Sequence, residues 1–222
     1  INEERPYEFR YVLEDLYGNR RTYRFMVQGK KQAIEPVRKG KHYLKWNQGN
    51  VLQQPGMELV IPKGMLYEDV DLNCRVIADS LGISFDYQLH DKPVALHAGC
   101  PITIGVRNYP IPDMTKYYVV RKYKGRKASA GGYFEEGFMH ANIRELGTYS
   151  VALDTVAPRI VPLNQPQWKG GNIRFKIRDA ETGIKDYKVY IDGKFVLFKF
   201  SSKNAVLSCM HPSRIKRGVK HQ

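Results

Sequence analysis

The sequence predicts an all-β protein built from antiparallel β-sandwich modules in series, and three observations support this fold class. The composition is 42% hydrophobic and 12% aromatic, which favours strands and is too apolar for a disordered chain. Apolar residues alternate with polar ones in short runs that end at Gly, Pro, Asp or Asn. The 222 residues also leave room for one large or two ordinary modules. Helices should therefore be scarce.

Residues 1–49 predict a hairpin followed by a linker. A turn at 15–19 (Asp-Leu-Tyr-Gly-Asn) separates two alternating runs, and a basic stretch over 29–41 follows them. A lone hairpin cannot bury its apolar face, so we expect it either to pair with strands elsewhere in this chain or to close a module whose beginning is absent. The alternating apolar positions are Phe9, Tyr11, Leu13, Tyr23, Phe25 and Val27.

Residues 50–154 predict one complete β-sandwich module. Short strands are expected near 57–61, 72–78, 85–89, 102–106, 117–123 and 147–153, with 125–132 as a basic loop. This spacing is typical of a sandwich rather than of βαβ units. The residues that we expect to form the buried core are Leu59, Ile61, Leu72, Val76, Ile102, Ile104, Tyr149 and Val151.

Residues 155–222 predict a further module of the same kind. Pro158 stiffens the join, alternation recurs over 173–177, and Asp192-Gly193 is a strong hairpin signal. A complete immunoglobulin-like sandwich needs about seven strands and about 100 residues. We therefore expect this module to be truncated.

Positive charge is concentrated at the two ends of the chain. The net charge is +14 overall, with +5 over residues 1–49, −1 over 50–154 and +10 over 155–222. Such a field attracts anionic polymers, although a solvated surface with outward lysines explains the same counts. The residues that we predict to contact an anionic envelope polymer are Lys122, Lys124, Arg126, Lys127, Arg214, Lys216, Arg217 and Lys220.

Three segments resemble known modules. Residues 59–66 (Leu-Val-Ile-Pro-Lys-Gly-Met-Leu) and 147–151 resemble ankyrin-type and autotransporter-associated β-sandwich modules. Residues 154–158 (Asp-Thr-Val-Ala-Pro) with 175–184 resemble the opening of bacterial immunoglobulin-like repeats, and 15–19 resembles the hairpin that closes them. In this order the segments resemble the carboxy-terminal non-catalytic region of exported Bacteroidetes zinc endopeptidases of the lysostaphin type, which cut peptidoglycan peptides.

No catalytic or metal-binding motif is present in the sequence. The resemblance implies a zinc site made of His-x-x-x-Asp and His-x-His, and neither spacing occurs. The metalloprotease, nucleophile-elbow, P-loop and dinucleotide motifs are also absent. The pair Asp69 and Asp71 fits a solvated loop or strand edge better than a glycosidase site. We therefore predict no enzyme activity, no metal and no cofactor on this chain.

The remaining chemical groups point to structural roles. The three cysteines, Cys74, Cys100 and Cys209, are odd in number and widely spaced, so we expect buried thiols rather than disulfides. The basic and aromatic segment 117–127 suggests nucleic-acid binding, but alternation mixes both of its faces, which favours an edge strand protected by lysine. We predict no nucleic-acid partner. No apolar run approaches the roughly 20 residues that a membrane-spanning helix needs.

These observations predict a binding or spacing function. The preferred hypothesis is a non-catalytic accessory region that positions or tethers an exported cell-wall peptidase at the envelope, in the periplasm or at the cell surface. Its expected partners are peptidoglycan or an anionic envelope polymer and the catalytic domain of the same parent chain. The alternatives are an adhesin-like or structural stalk without an enzyme and, more remotely, a glycan-cleaving enzyme whose site carries no recognisable motif.

Overall fold

The computed structural model describes residues 3–31, 42–216 and 219–221. The chain divides after Arg38 into two compact units, Ile1–Arg38 and Lys39–Gln222. Most of the predicted linker at 29–41 lies outside the described residues. Antiparallel sheets dominate both units, which confirms the all-β fold class.

The first unit contains a two-stranded antiparallel hairpin of β1 (Pro6–Glu14) and β2 (Arg20–Gln28). The Asp15 carboxylate accepts the backbone N–H groups of Tyr17 and Asn19, both at 2.9 Å, and also binds the Asn19 side chain. These hydrogen bonds, led by that from the Asn19 side chain, hold the pKa of Asp15 below its usual value. Gly18 supplies the positive φ of 84° that the turn requires. The predicted hairpin is confirmed.

The hairpin is amphipathic because residues two apart share a face. On one face Phe9 stacks on Phe25 across the strands, with ring centroids 5.4 Å apart. On the other face Arg20 forms an ion pair with Glu14 at 2.6 Å. The aromatic alternation seen in the sequence therefore places the rings on one side of the hairpin.

The second unit begins with a sandwich of two five-stranded sheets. Its sheets have the strand orders β11-β10-β14-β8-β7 and β12-β13-β9-β5-β4, and β3 pairs with β6 beside them. The strands are β3 (Tyr43–Leu44), β4 (Asn50–Gln54), β5 (Met57–Ile61), β6 (Val70–Asp71), β7 (Arg75–Ile77), β8 (Asp86–Gln88), β9 (Val94–Gly105), β10 (Tyr117–Tyr123), β11 (Arg126–Gly131), β12 (Tyr133–Glu135), β13 (Phe138–Leu146) and β14 (Thr148–Leu153).

One hydrophobic core fills the space between the two sheets. Of the eight residues predicted for it, all are buried except Val76, which is half-buried against the same cluster. Leu44 also packs in this core, and its strand pairs with Val70. The packed module therefore includes residues that precede residue 50, where the sequence pattern placed its start.

Two expectations about residues 117–132 were wrong. Arg126–Gly131 is the strand β11 and not a loop. The prediction failed because the run of Lys, Ala, Ser and Gly in this segment hides the alternation that marks a strand. Strand β10 is not an edge strand, since β11 and β14 lie on either side of it. The edge is β11, and it carries the exposed cations Arg126 and Lys127.

The carboxy-terminal module, residues 155–222, has a single four-stranded sheet of order β15-β16-β20-β19 beside the hairpin β17-β18. Asp192 and Gly193 have φ angles of 52° and 75°, as a two-residue hairpin turn requires. The core cluster of this module buries Ile177, Phe198 and Leu207, with other apolar residues half-buried around them. Its strands are β15 (Arg159–Leu163), β16 (Arg174–Arg178), β17 (Tyr190–Ile191), β18 (Lys194–Phe195), β19 (Phe198–Ser201) and β20 (Val206–Cys209).

Candidate functional site

The first group of predicted cations lies on the β10–β11 hairpin. Lys122 Nζ lies 2.7 and 2.9 Å from the two carboxylate oxygens of Asp86, so this charge is already paired. Lys124 is in the turn, with φ of 47°, and its ammonium lies 5.3 Å from the Tyr123 ring centroid. With Arg126 and Lys127, three of the four cations are exposed. This hairpin offers a small basic surface.

The second group lies in the carboxy-terminal segment. Lys216 and Lys220 are exposed, and Arg214 ends a short 3₁₀ helix, Pro212–Arg214. Arg217 lies outside the described residues. His221 links this segment to β17–β18, because its Nδ1 lies 2.6 Å from Asp192 Oδ2 and its Nε2 lies 2.5 Å from the Lys216 carbonyl oxygen. The Lys216 carbonyl and the Asp192 carboxylate raise the pKa of His221.

A cavity of about 710 Å³ lies beside this second group. Trp168 packs against Phe175 with tilted rings and a centroid distance of 5.0 Å, and the ring centroids of Phe175 and Phe198 lie 6.1 Å apart. The Trp168 Nε1–H donates to the Leu163 carbonyl at 2.9 Å, which fixes the indole ring. The apolar residues that line the cavity are Trp168, Ile173, Phe175, Val189, Ile191, Phe198, Pro212, Ile215 and Val219.

The polar residues around this cavity are basic or neutral. Lys169, Lys216 and His221 contribute to its lining, together with Tyr190, and the described lining residues include no carboxylate. The aromatic cavity with its basic rim is the candidate site of the carboxy-terminal module. Sequence reasoning predicted Lys216 but missed the cavity, because Trp168 stands outside any alternating run. The segment 165–171 (Gln-Pro-Gln-Trp-Lys-Gly-Gly) was the sequence feature that could have indicated the cavity, because Trp168 and Lys169 both line it.

Polar contacts join the carboxy-terminal module to the sandwich. The Tyr118 hydroxyl donates to the Glu181 carboxylate, and the Thr182 hydroxyl donates to Asp154. Asp154 is itself fixed to the sandwich, because its N–H donates to the Lys116 carbonyl at 2.9 Å. A second cavity of about 550 Å³ lies at this junction and is lined in part by 154–158 and 182–185. The predicted boundary at 154–158 is therefore bridged by side-chain contacts.

Comparison with known families identifies the sandwich. A family model for the Zu5-like domain matches residues 41–154, just over half of the chain. The chain belongs to the Zu5-like domain family. No curated protein and no solved structure matched the chain. The matched range agrees with the packing of Leu44 into the core of the Zu5-like module.

Tyr118 shows why the basic and aromatic strand of the Zu5-like module is a poor surface for stacking on bases. Its ring and Val120 are buried on the face of β10 opposite the core-facing residues Tyr117 and Val119. Burial and the neighbouring Glu181 carboxylate raise the pKa of Tyr118, so its hydroxyl stays protonated and donates. Strand β10 has five aromatic or aliphatic side chains, and among them only the Tyr123 ring is exposed.

Several histidines and carboxylates of the Zu5-like module are held by neighbouring groups. Asn73 bonds both His90 and Asp91 through its backbone N–H and side-chain amide, and His97 stacks on Tyr67 at 3.7 Å. Asp69 accepts from the Tyr43 hydroxyl and the Trp46 N–H, at 2.7 and 3.0 Å. Within the described ranges, no three potential metal-ligating side chains converge.

The three cysteines lie in or against the packed cores of the two modules. Cys100 is buried, Cys74 and Cys209 are half-buried, and all three are free thiols. Burial raises the pKa of Cys74 and Cys100, which disfavours the reactive thiolate. No helix in the described part of the chain is long and apolar enough to cross a membrane.

Proposed function

We propose that this chain is a non-catalytic accessory region that positions or tethers an exported cell-wall peptidase at the envelope. One observation carries the proposal: residues 155–222 hold a net charge of +10. The Zu5-like module is close to neutral, with −1 over 50–154. Anionic envelope polymers match this charge distribution.

The junction between the modules supports a positioning role. Tyr118 and Asp154 of the Zu5-like module bond to Glu181 and Thr182 of the carboxy-terminal module. Such contacts restrain the relative motion that a bare linker would allow. A restrained pair of modules holds the carboxy-terminal cavity in a fixed orientation relative to the Zu5-like module. The catalytic domain would lie on the same parent chain, as the resemblance to lysostaphin-type peptidases implies.

The test compares the parent peptidase with and without this region on two substrates. Removing the region should slow the digestion of intact sacculi and leave the cleavage of a short soluble peptide unchanged, because only the insoluble substrate needs tethering. Equal rates on sacculi would contradict the proposal. The parent reading frame provides an independent test, because it should encode His-x-x-x-Asp and His-x-His motifs.

The second candidate function is an adhesin-like or structural stalk at the cell surface. The bonded junction favours it as well, because sandwich modules joined by side-chain contacts transmit force and set spacing without any enzyme. The parent reading frame separates the two proposals. Further β-sandwich repeats without a peptidase domain would support the stalk and contradict the tether.

A further inference from the structure

We propose that the aromatic cavity of the carboxy-terminal module binds the hydrocarbon chain of a single anionic amphiphile, with its head group at Lys169 and Lys216. The ligand class is a monomeric carboxylate or phosphate that carries one acyl or alkyl chain. This proposal does not depend on the tethering function, because a polymer attracted by surface charge requires no cavity. Three properties of the cavity lead to it.

The first property is the apolar character of the wall. The rings of Trp168, Phe175 and Phe198 form one side, and the Trp168 Nε1–H is already bonded to the Leu163 carbonyl. A sugar or nucleotide in this space would lose hydrogen bonds to water that the wall does not replace, at a cost of about 1–3 kcal/mol for each buried polar group. A hydrocarbon chain incurs no such cost.

The second property is the charge of the rim. Lys169 and Lys216 are exposed at the cavity, and His221 is held in place by Asp192 and the Lys216 carbonyl. The raised pKa of His221 extends its cationic form to higher pH. No Asp or Glu is among the described lining residues. Asp192 offsets the charge of His221, so the two lysines supply the net positive charge of the rim, which attracts an anionic head and disfavours a cationic one.

The third property is the size of the cavity and the surface it leaves uncovered. Its volume of about 710 Å³ falls within the range of roughly 300–1,000 Å³ that ligand sites occupy. Trp168, Phe175 and Val189 are only half-buried around it. Burying one methylene contributes about 0.8 kcal/mol, so each added methylene should tighten binding by up to about fourfold until the cavity is full.

The first experiment uses tryptophan fluorescence of the full chain. The sequence has two tryptophans, so the Trp46→Phe variant leaves Trp168 as the reporter. Octanoate, decanoate and dodecanoate, each below its micelle concentration, should change the Trp168 emission with Kd values that fall along the series. Dodecyltrimethylammonium, with an equal chain and a cationic head, should bind more weakly. Kd values that do not depend on chain length, or equal binding of both heads, would overturn the proposal.

Two variants locate the site. The surface change Lys169→Gln with Lys216→Gln should raise the Kd for dodecanoate by roughly twofold to fivefold per lysine, the scale of an exposed charge pair. The matched control, Lys63→Gln with Lys92→Gln on the Zu5-like module, should leave Kd unchanged. Val189→Phe should weaken dodecanoate more than octanoate by filling the cavity. If the Val189→Phe variant does not fold, the comparison of head groups and the comparison of chain lengths on the Trp46→Phe protein still test the proposal.

A vesicle measurement addresses the competing source of an anionic amphiphile. Monomeric dodecanoate should bind the site and change the Trp168 emission. Phosphatidylglycerol vesicles should not shift that emission more than phosphatidylcholine vesicles do. Association with anionic vesicles in the absence of monomer binding would overturn the proposal, because it would show a membrane surface contact and not a cavity.

Discussion

Replacing Tyr118 with Phe should loosen the junction between the Zu5-like and carboxy-terminal modules. The ring is only 3% exposed, and its hydroxyl donates to the Glu181 carboxylate. A hydrogen bond to a charged group contributes about 1.5–3 kcal/mol, and the lower end applies because Glu181 is half-buried and partly screened. The substitution should therefore lower the free energy of unfolding by about 1.5 kcal/mol, with most of the loss in the carboxy-terminal module.

Urea unfolding of the full chain measures this effect, and a double-mutant cycle isolates the contact. Tyr118→Phe and Glu181→Ala should show a coupling of about 1 kcal/mol, because the first removes the donor and the second the acceptor of the same hydrogen bond. The control is Tyr123→Phe on the same strand, where the ring is exposed and a change within about 0.5 kcal/mol is expected. Equal effects of Tyr118→Phe and Tyr123→Phe would refute the junction.

Three further predictions concern the core, a histidine and a thiol. In the isolated Zu5-like module, Ile104→Ala should lower the free energy of unfolding in urea by about 2–5 kcal/mol, because Ile104 is fully buried. The control Ile77→Ala should lower it by less than about 0.5 kcal/mol, because Ile77 is exposed. The raised pKa of His221 means that its contribution to stability is complete below the ordinary value of 6.5 and is lost as pH rises through the folded value. An NMR titration should place the midpoint above 6.5, with Asp192→Asn lowering it, and a midpoint at or below 6.5 would contradict this. Cys100 should react with a thiol reagent only on unfolding, and rapid labelling of the folded chain would show that its burial is wrong.

The sequence predicted those elements whose side chains alternate clearly. Strand β10 was predicted at its observed bounds, and the hairpin around Asp15 followed from alternation and turn chemistry. Strand β11 was missed because Arg126–Gly131 has no apolar alternation, although backbone pairing with β10 makes it a strand. A period-two pattern reports burial on one face, so an exposed edge strand leaves little trace in it.

The candidate site was predictable only in part. Lys216 was identified from charge, but the cavity beside it brings Trp168 and Phe175 together with Phe198, which lies on a later strand of the sheet. No local pattern reveals that such residues share one wall, because tertiary packing alone joins them. Lys122 was also expected to be available for binding, whereas its ion pair with Asp86 depends on the neighbouring strands of the sheet.

Co-sedimentation with purified sacculi at rising ionic strength is the most direct test of the proposed binding to the envelope. The full chain should be retained at low salt and released as the Debye length falls from about 10 Å at 0.1 M to about 3 Å at 1 M. The isolated Zu5-like module, which is close to neutral, should not be retained at any salt concentration. Retention of the full chain that does not depend on salt, or retention of the Zu5-like module alone, would contradict the account.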